Sequence, residues 1–185
     1  GPTEIYAPIF QFVGDHPELF DGYESAAQVA LVYNHNAYRQ RNEMIHEVGG
    51  QLAKAHIPFD MLIAGDDWLS PRLDAAVADI YQHIIIPDSS LLMDGQQATV
   101  DSWLADSTAS YWQGVEALSD HIDPWVAVNG APTARAALRV SIDPDNPVPA
   151  VVHLISQVSR EDESFQKQEE FDLVISQTAL GERRI

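Results

Sequence analysis

Residues 28–37 read Gln-Val-Ala-Leu-Val-Tyr-Asn-His-Asn-Ala, and the fold turns on them. The apolar stretch Val29 to Tyr33 ends abruptly in three polar side chains, Asn34, His35 and Asn36. A run this short, rich in valine and bounded by turn-forming residues, is what a strand buried on both faces presents. The pattern returns twice. Phe59 to Ala64 follows Pro58 and closes at Gly65-Asp66-Asp67; His83 to Ile86 closes at Pro87-Asp88. Between the first two runs, Met44, Val48, Leu52 and Ala55 fall at spacings of four, four and three. They form the apolar stripe of a helix over 37–55, with Asn36 as its cap. Gly49-Gly50 either interrupts this helix or lets it pack closely on a sheet. Trp68 to Ala78 predicts a turn and a short helix, and Gln96 to Ala105 a further helix. Strands alternating with helices imply right-handed crossovers and a parallel sheet. The expected class is therefore α/β, with a Rossmann-like three-layer parallel sheet and a C-terminal antiparallel β appendage.

Three segments follow from this reading. Residues 1–27 form a lead-in, in which Gly1-Pro2 reads as the scar of a cleaved tag. Ile5 to Tyr23 has no sustained period beyond a helical turn at Pro17 to Phe20. Residues 28–132 form the α/β domain, with Ser110 to Ser119 expected to be helical and Trp125 to Val128 to be a strand of the same sheet. Residues 133–185 form the β appendage. There Ala136 to Ile142 and Val148 to Ser156 flank Asp143-Pro144-Asp145-Asn146-Pro147, a turn chemistry dense enough to predict a hairpin. Glu161 to Glu170 reads as a solvated charged stretch and Phe171 to Ile175 as a last strand, in a β domain cut short at Ile185.

Ten Lys and Arg face 28 Asp and Glu over 185 residues, a formal net charge of −18. That field repels nucleic acid and anionic membrane surfaces, and no basic stripe offsets it. No apolar run approaches the roughly 20 residues that cross a bilayer. The chain has no cysteine, which excludes a disulfide framework, a thiolate zinc site and a cysteine nucleophile. Neither a glycine-rich phosphate loop, nor a GxSxG elbow, nor HExxH appears. Eight strand–helix units of a barrel do not fit in 185 residues. The reading is of a protein without catalysis, cofactor or metal.

Two sets of motifs carry a family resemblance. Val29 to Tyr33, His56-Ile57-Pro58-Phe59-Asp60-Met61-Leu62 and His83-Ile84-Ile85-Ile86-Pro87-Asp88 resemble "VALVYS", "GIPFDVL" and "KLIIVPD". These strands belong to the glutamine-amidotransferase-like domain that follows the catalytic barrel of glycoside hydrolases such as β-galactosidases with a trimerisation domain. Ala150 to Ser156 is similar to the "VVHLVN" strand of the β domain that closes such enzymes. The resemblance spans Gln28 to Ser156. Because this chain lacks the amidotransferase Cys, the resemblance implies an accessory role instead. That role is binding polysaccharide or oligosaccharide, shaping an upstream catalytic domain of the same chain, or homo-oligomerisation, in a secreted or periplasmic bacterial protein.

Ligands of open parallel sheets bind beyond the carboxyl ends of the strands. That edge gathers Asn34 and His35 from the first strand, Asp66, Asp67 and Trp68 from the second, and Asp88 and Ser89 from the third. Hydroxyl-bonding side chains beside an indole suit a sugar, although Asp, Asn and Ser also favour loops and caps for local reasons. Asp66-Asp67 with Asp88 are also of the type that holds a hard cation such as calcium or magnesium, whereas Asp143 to Asn146 lacks the twelve-residue spacing and closing Glu of a calcium loop. Trp103 is expected in the core, while Trp68, Trp112 and Trp125 lie near turns. His83 and His153 fall in apolar strands and read as structural. The alternatives to glycan binding are an oligomerisation domain without ligand, and a hydrolase of unrecognised type using the strand-end carboxylates.

Overall fold

The computed structural model describes residues 2–40, 44–55, 57–106, 109–113, 118, 121–122, 124–130, 134–143, 145–156 and 172–175. Strands β2 (Val29–Asn34), β3 (Phe59–Ala64), β4 (His83–Ile85) and β5 (Ser110–Trp112) form one parallel sheet in the order β3-β2-β4-β5. The class is mixed α/β. The first strand is central: the chain leaves it to one side for β3, then crosses back to β4 on the other.

The two faces of β2 explain why its sequence is apolar throughout. Val29 and Leu31 pack with Ile85 against Val48 and Leu52 of α3 (Met44–Lys54). Ala30 and Val32 pack with Ala64 and Ile84 against Ala78, Val100 and Trp103. These last come from a 3-10 helix (Ala75–Ile80) and α4 (Asp94–Asp106). Each fully buried Val, Leu or Ile contributes about 1.5–3 kcal/mol. Helix α3 runs unbroken through Gly49-Gly50, and Gly49 lies close to the Phe59 and Leu31 side chains. The apolar stripe is half right: Val48 and Leu52 are buried, Met44 and Ala55 exposed.

Strands β1 (Tyr23–Ser25), β7 (Ala134–Ser141) and β8 (Ala150–Ser156) form an antiparallel sheet in the order β1-β7-β8. The β7–β8 hairpin is the one its turn chemistry predicts, with Val140 opposite Ala150. Strand β6 (Val126–Asn129) pairs antiparallel with β9 (Asp172–Ile175). Leu138 and Val140 meet Val126 and Ala26 in a separate core.

Several expectations are corrected. Ser110 to Trp112 is a strand rather than the start of a helix; Tyr111 and Trp112 pack towards opposite faces of the parallel sheet. Val126 to Asn129 does not join that sheet, because its partner is β9, more than 40 residues onward and invisible to local pattern. The lead-in contains a helix, α1 (Pro2–Asp15); its described side chains from Ala7 onward are exposed, so no buried stripe marked it. Helix α2 (His35–Arg39) is capped by Asn34 rather than Asn36, the Asn34 side chain accepting from the Ala37 N–H. The charged stretch 161–170 and His56 lie outside the described residues. Among those residues no helix is long and apolar enough to cross a membrane.

Candidate functional site

Beyond the carboxyl ends of β2 and β4, polar side chains mostly lock the backbone. Asn34 is buried, and its Nδ2 donates to the carbonyls of Asp88 (3.2 Å) and Ser90 (2.6 Å) while its Oδ1 caps α2. Asn36 donates from Nδ2 to the Leu91 carbonyl at 3.1 Å. Leu91 itself has a φ of 63°, a left-handed conformation costly for a branched residue. Asp88 Oδ1 accepts the Ser90 N–H at 2.8 Å, and Ser89 is exposed. Asn34 is therefore a structural clasp between β2 and the loop after β4.

The segment after β3 is built differently. The Gly65 N–H donates to the Pro71 carbonyl (3.0 Å) and the Asp66 N–H to the Leu69 carbonyl (2.8 Å), folding residues 65–71 into a closed loop. A Cβ on Gly65 would collide with the Leu69 carbonyl oxygen, so the close approach requires glycine. Arg72 donates from Nη2 to the Asp66 carbonyl at 2.9 Å, and from Nη1 to the carbonyls of Leu69, Ser70 and Pro71 at 3.0 Å each. From α4, Gln96 donates to the Gly65 carbonyl at 3.0 Å.

Asp66 is the centre of this loop and is only 3% exposed. Its Oδ1 accepts the N–H groups of Trp68 and Leu69, both at 2.8 Å. Its Oδ2 accepts from Arg39 Nη1 at 2.9 Å, with His35 Nε2 at 3.9 Å. Burial pulls the Asp66 carboxyl upward, but the Leu69 N–H, Arg39, the Trp68 N–H and His35 outweigh it, and the group is held down at about 2. Behind it, the Tyr33 hydroxyl and His35 Nδ1 share a hydrogen bond of 3.0 Å. Burial raises the Tyr33 phenol above its ordinary range, and the nearby Tyr38 and Asp66 add to the shift.

The product of this bonding is an exposed indole. Trp68 is 83% exposed, with the Arg39 guanidinium carbon 5.9 Å from its ring centroid, within cation–π reach. Asp67 beside it is exposed. The structure thus brings His35, Asp66 and Trp68 together and adds Arg39, Tyr33 and Arg72, which sequence reasoning missed. Arg39 had one signal: a cation shortly after the end of the central strand in an acidic chain.

Asp66 stays ionised through the neutral range with both oxygens engaged, and Tyr33 is harder, not easier, to deprotonate. The recess beside Asn34, Tyr38 and Asp88 has a volume of about 10 Å³, the size of one water. Among the described residues no three His, Asp or Glu side chains are grouped to hold a metal ion. Two other indoles have structural partners: Trp103 is buried and donates to the Ala75 carbonyl (3.1 Å), and Trp112 donates to His83 Nδ1 (3.3 Å). His153 is satisfied by the Leu19 carbonyl at 3.1 Å. Comparison with protein-family models, curated proteins and solved structures finds no match.

Proposed function

We propose that this chain is a non-catalytic accessory module of a secreted bacterial polysaccharide-degrading enzyme. In this reading its core is Rossmann-like and amidotransferase-related, and it binds carbohydrate at the loop after β3. One observation carries the reading. Trp68 stands exposed on a loop whose backbone is fixed by Asp66, Arg72 and Gln96. A rigid aromatic of this kind loses little entropy when a sugar ring stacks on it. Arg39 keeps donors beyond the one given to Asp66, and the Asp67 carboxylate is exposed; together they offer both hydrogen-bond senses to hydroxyls. A net charge of −18 favours neutral ligands over polyanions at this loop. The lowered Asp66 carboxyl and the shallow strand-end surface favour binding over hydrolysis. The test is retention of the purified chain on polysaccharide affinity gels, and its loss in Trp68→Ala.

Assembly with the parent enzyme or a second copy is a second reading, and a different surface favours it. Helix α1 exposes Ile9, Phe10, Phe12 and Val13, with Phe10 at 75%. The 37–55 region is less suited to that role, since Val48 and Leu52 are buried in the core. A dimeric or larger mass by light scattering would support this reading.

A further inference from the structure

At the opposite end of β3 from Trp68, a groove of about 370 Å³ lies between the parallel sheet and β7. Six residues of strand, about 20 Å, separate this end of β3 from the Trp68 end, so the two sites are distinct. The groove is of a size that accepts a small ligand. One wall is Ala27, Phe59 and Asp60; the other is β7, with Arg135, Ala137 and Arg139 among its lining residues.

The placement of the arginines follows from strand geometry. Residues 134, 136, 138 and 140 of β7 turn inward to the second core, so the alternate set, 135, 137 and 139, stands on the opposite face. Ala137 is exposed, leaving a low floor between two guanidinium groups. The chain has ten Lys and Arg in all against 28 acids, and two of the ten line this one groove. Arg139 donates from Nη2 to the Tyr23 carbonyl at 2.7 Å. A guanidinium beside an open groove has a carboxylate as its natural complement. The wall is not uniformly basic. Asp60 accepts from the Tyr81 hydroxyl at 3.1 Å, and burial together with that carboxylate pushes the Tyr81 phenol up to about 12. A bare anion would be repelled by Asp60, whereas a ligand with both a carboxylate and hydroxyls matches both signs. Phe59 adds an apolar surface.

We infer that this groove binds a uronic acid, its carboxylate on Arg139 and Arg135 and a hydroxyl on Asp60. The saccharide class rests on the function proposed above; the charge of the ligand rests on the groove alone. The accessory module would then have two subsites, a stacking platform at Trp68 and a selector for acidic sugar units at β7.

Calorimetric titration of the purified chain with galacturonate, glucuronate, galactose and sodium sulfate tests this. One uronate should bind at least ten-fold more tightly than galactose and than sulfate. Ala137→Glu, at an exposed position, should weaken it at least ten-fold with an unchanged melting temperature. Arg139→Gln should do the same, and Trp68→Ala should leave uronate binding intact. Absence of uronate binding, equal binding of sulfate, or undiminished binding in A137E would overturn the inference. Retention on a neutral-polysaccharide gel that does not respond to W68A would instead remove the Trp68 reading, whatever the uronate titration gives.

Discussion

Arg39, the last residue of α2, donates from Nη1 to Oδ2 of Asp66 across 2.9 Å, and the same guanidinium lies 5.9 Å from the Trp68 ring centroid. One cation therefore ties the helix after the central strand to the loop after the edge strand, and steadies the exposed indole. Its side chain is half exposed, so the pair's value lies in geometry rather than in stability.

Removing that cation should be visible in the titration of its partner. In Arg39→Ala the Asp66 carboxyl should titrate clearly above its native value of about 2, because burial is then opposed by fewer favourable partners. Carbon-13 NMR of the side-chain carboxyl checks this; an unmoved midpoint would show that the backbone N–H groups and His35 hold Asp66 down without Arg39.

Gly65→Ala should disrupt the loop without removing any side chain from it. The new methyl group meets the Leu69 carbonyl, so either the Asp66–Leu69 turn opens or strain is stored. The expected cost is more than about 1 kcal/mol, with loss of glycan retention and faster proteolysis near Trp68. Thermal melting and limited proteolysis report both.

Acid should weaken the fold through His83. Burial lowers this imidazole below its ordinary 6.5, with the charge of His121 adding to the effect. The unfolded chain then takes up a proton near pH 6.5 that the folded chain refuses until lower pH, so stability rises with pH across that window and is lost as pH falls through it. Melting temperatures measured from pH 7.5 to 5 should fall, and His83→Gln should flatten that slope.

Trp103→Ala should cost about 3–5 kcal/mol, since the ring is 2% exposed in the core beneath α4 and its N–H satisfies the Ala75 carbonyl. Denaturant unfolding measures this. A cost under 1 kcal/mol would mean that α4 does not pack on the sheet as described.

Three strands of the parallel sheet were legible in the sequence because each is a short apolar run stopped by turn residues. Val29 to Tyr33 and Phe59 to Ala64 match their strands within a residue. What escaped depended on distant partners. Strand β6 is defined by pairing with β9, and Ser110 to Trp112 by a place beside β4. At the candidate site, the run Asp66-Asp67-Trp68 marked the loop that closes β3. Composition could not say that Asp66 faces inward as a cap while Trp68 faces out, because that depends on Gly65, Arg72 and Arg39 closing around it.

The most direct test of the account is affinity-gel electrophoresis of the native chain and of Trp68→Ala through a panel of neutral polysaccharides. An exposed indole contributes little to stability, so the variant should fold and melt like the native chain. The account predicts that at least one polysaccharide retards the native chain and that W68A weakens this about ten-fold or more, the loss expected at a central contact residue. Equal retardation of both proteins, or none of either, would contradict it.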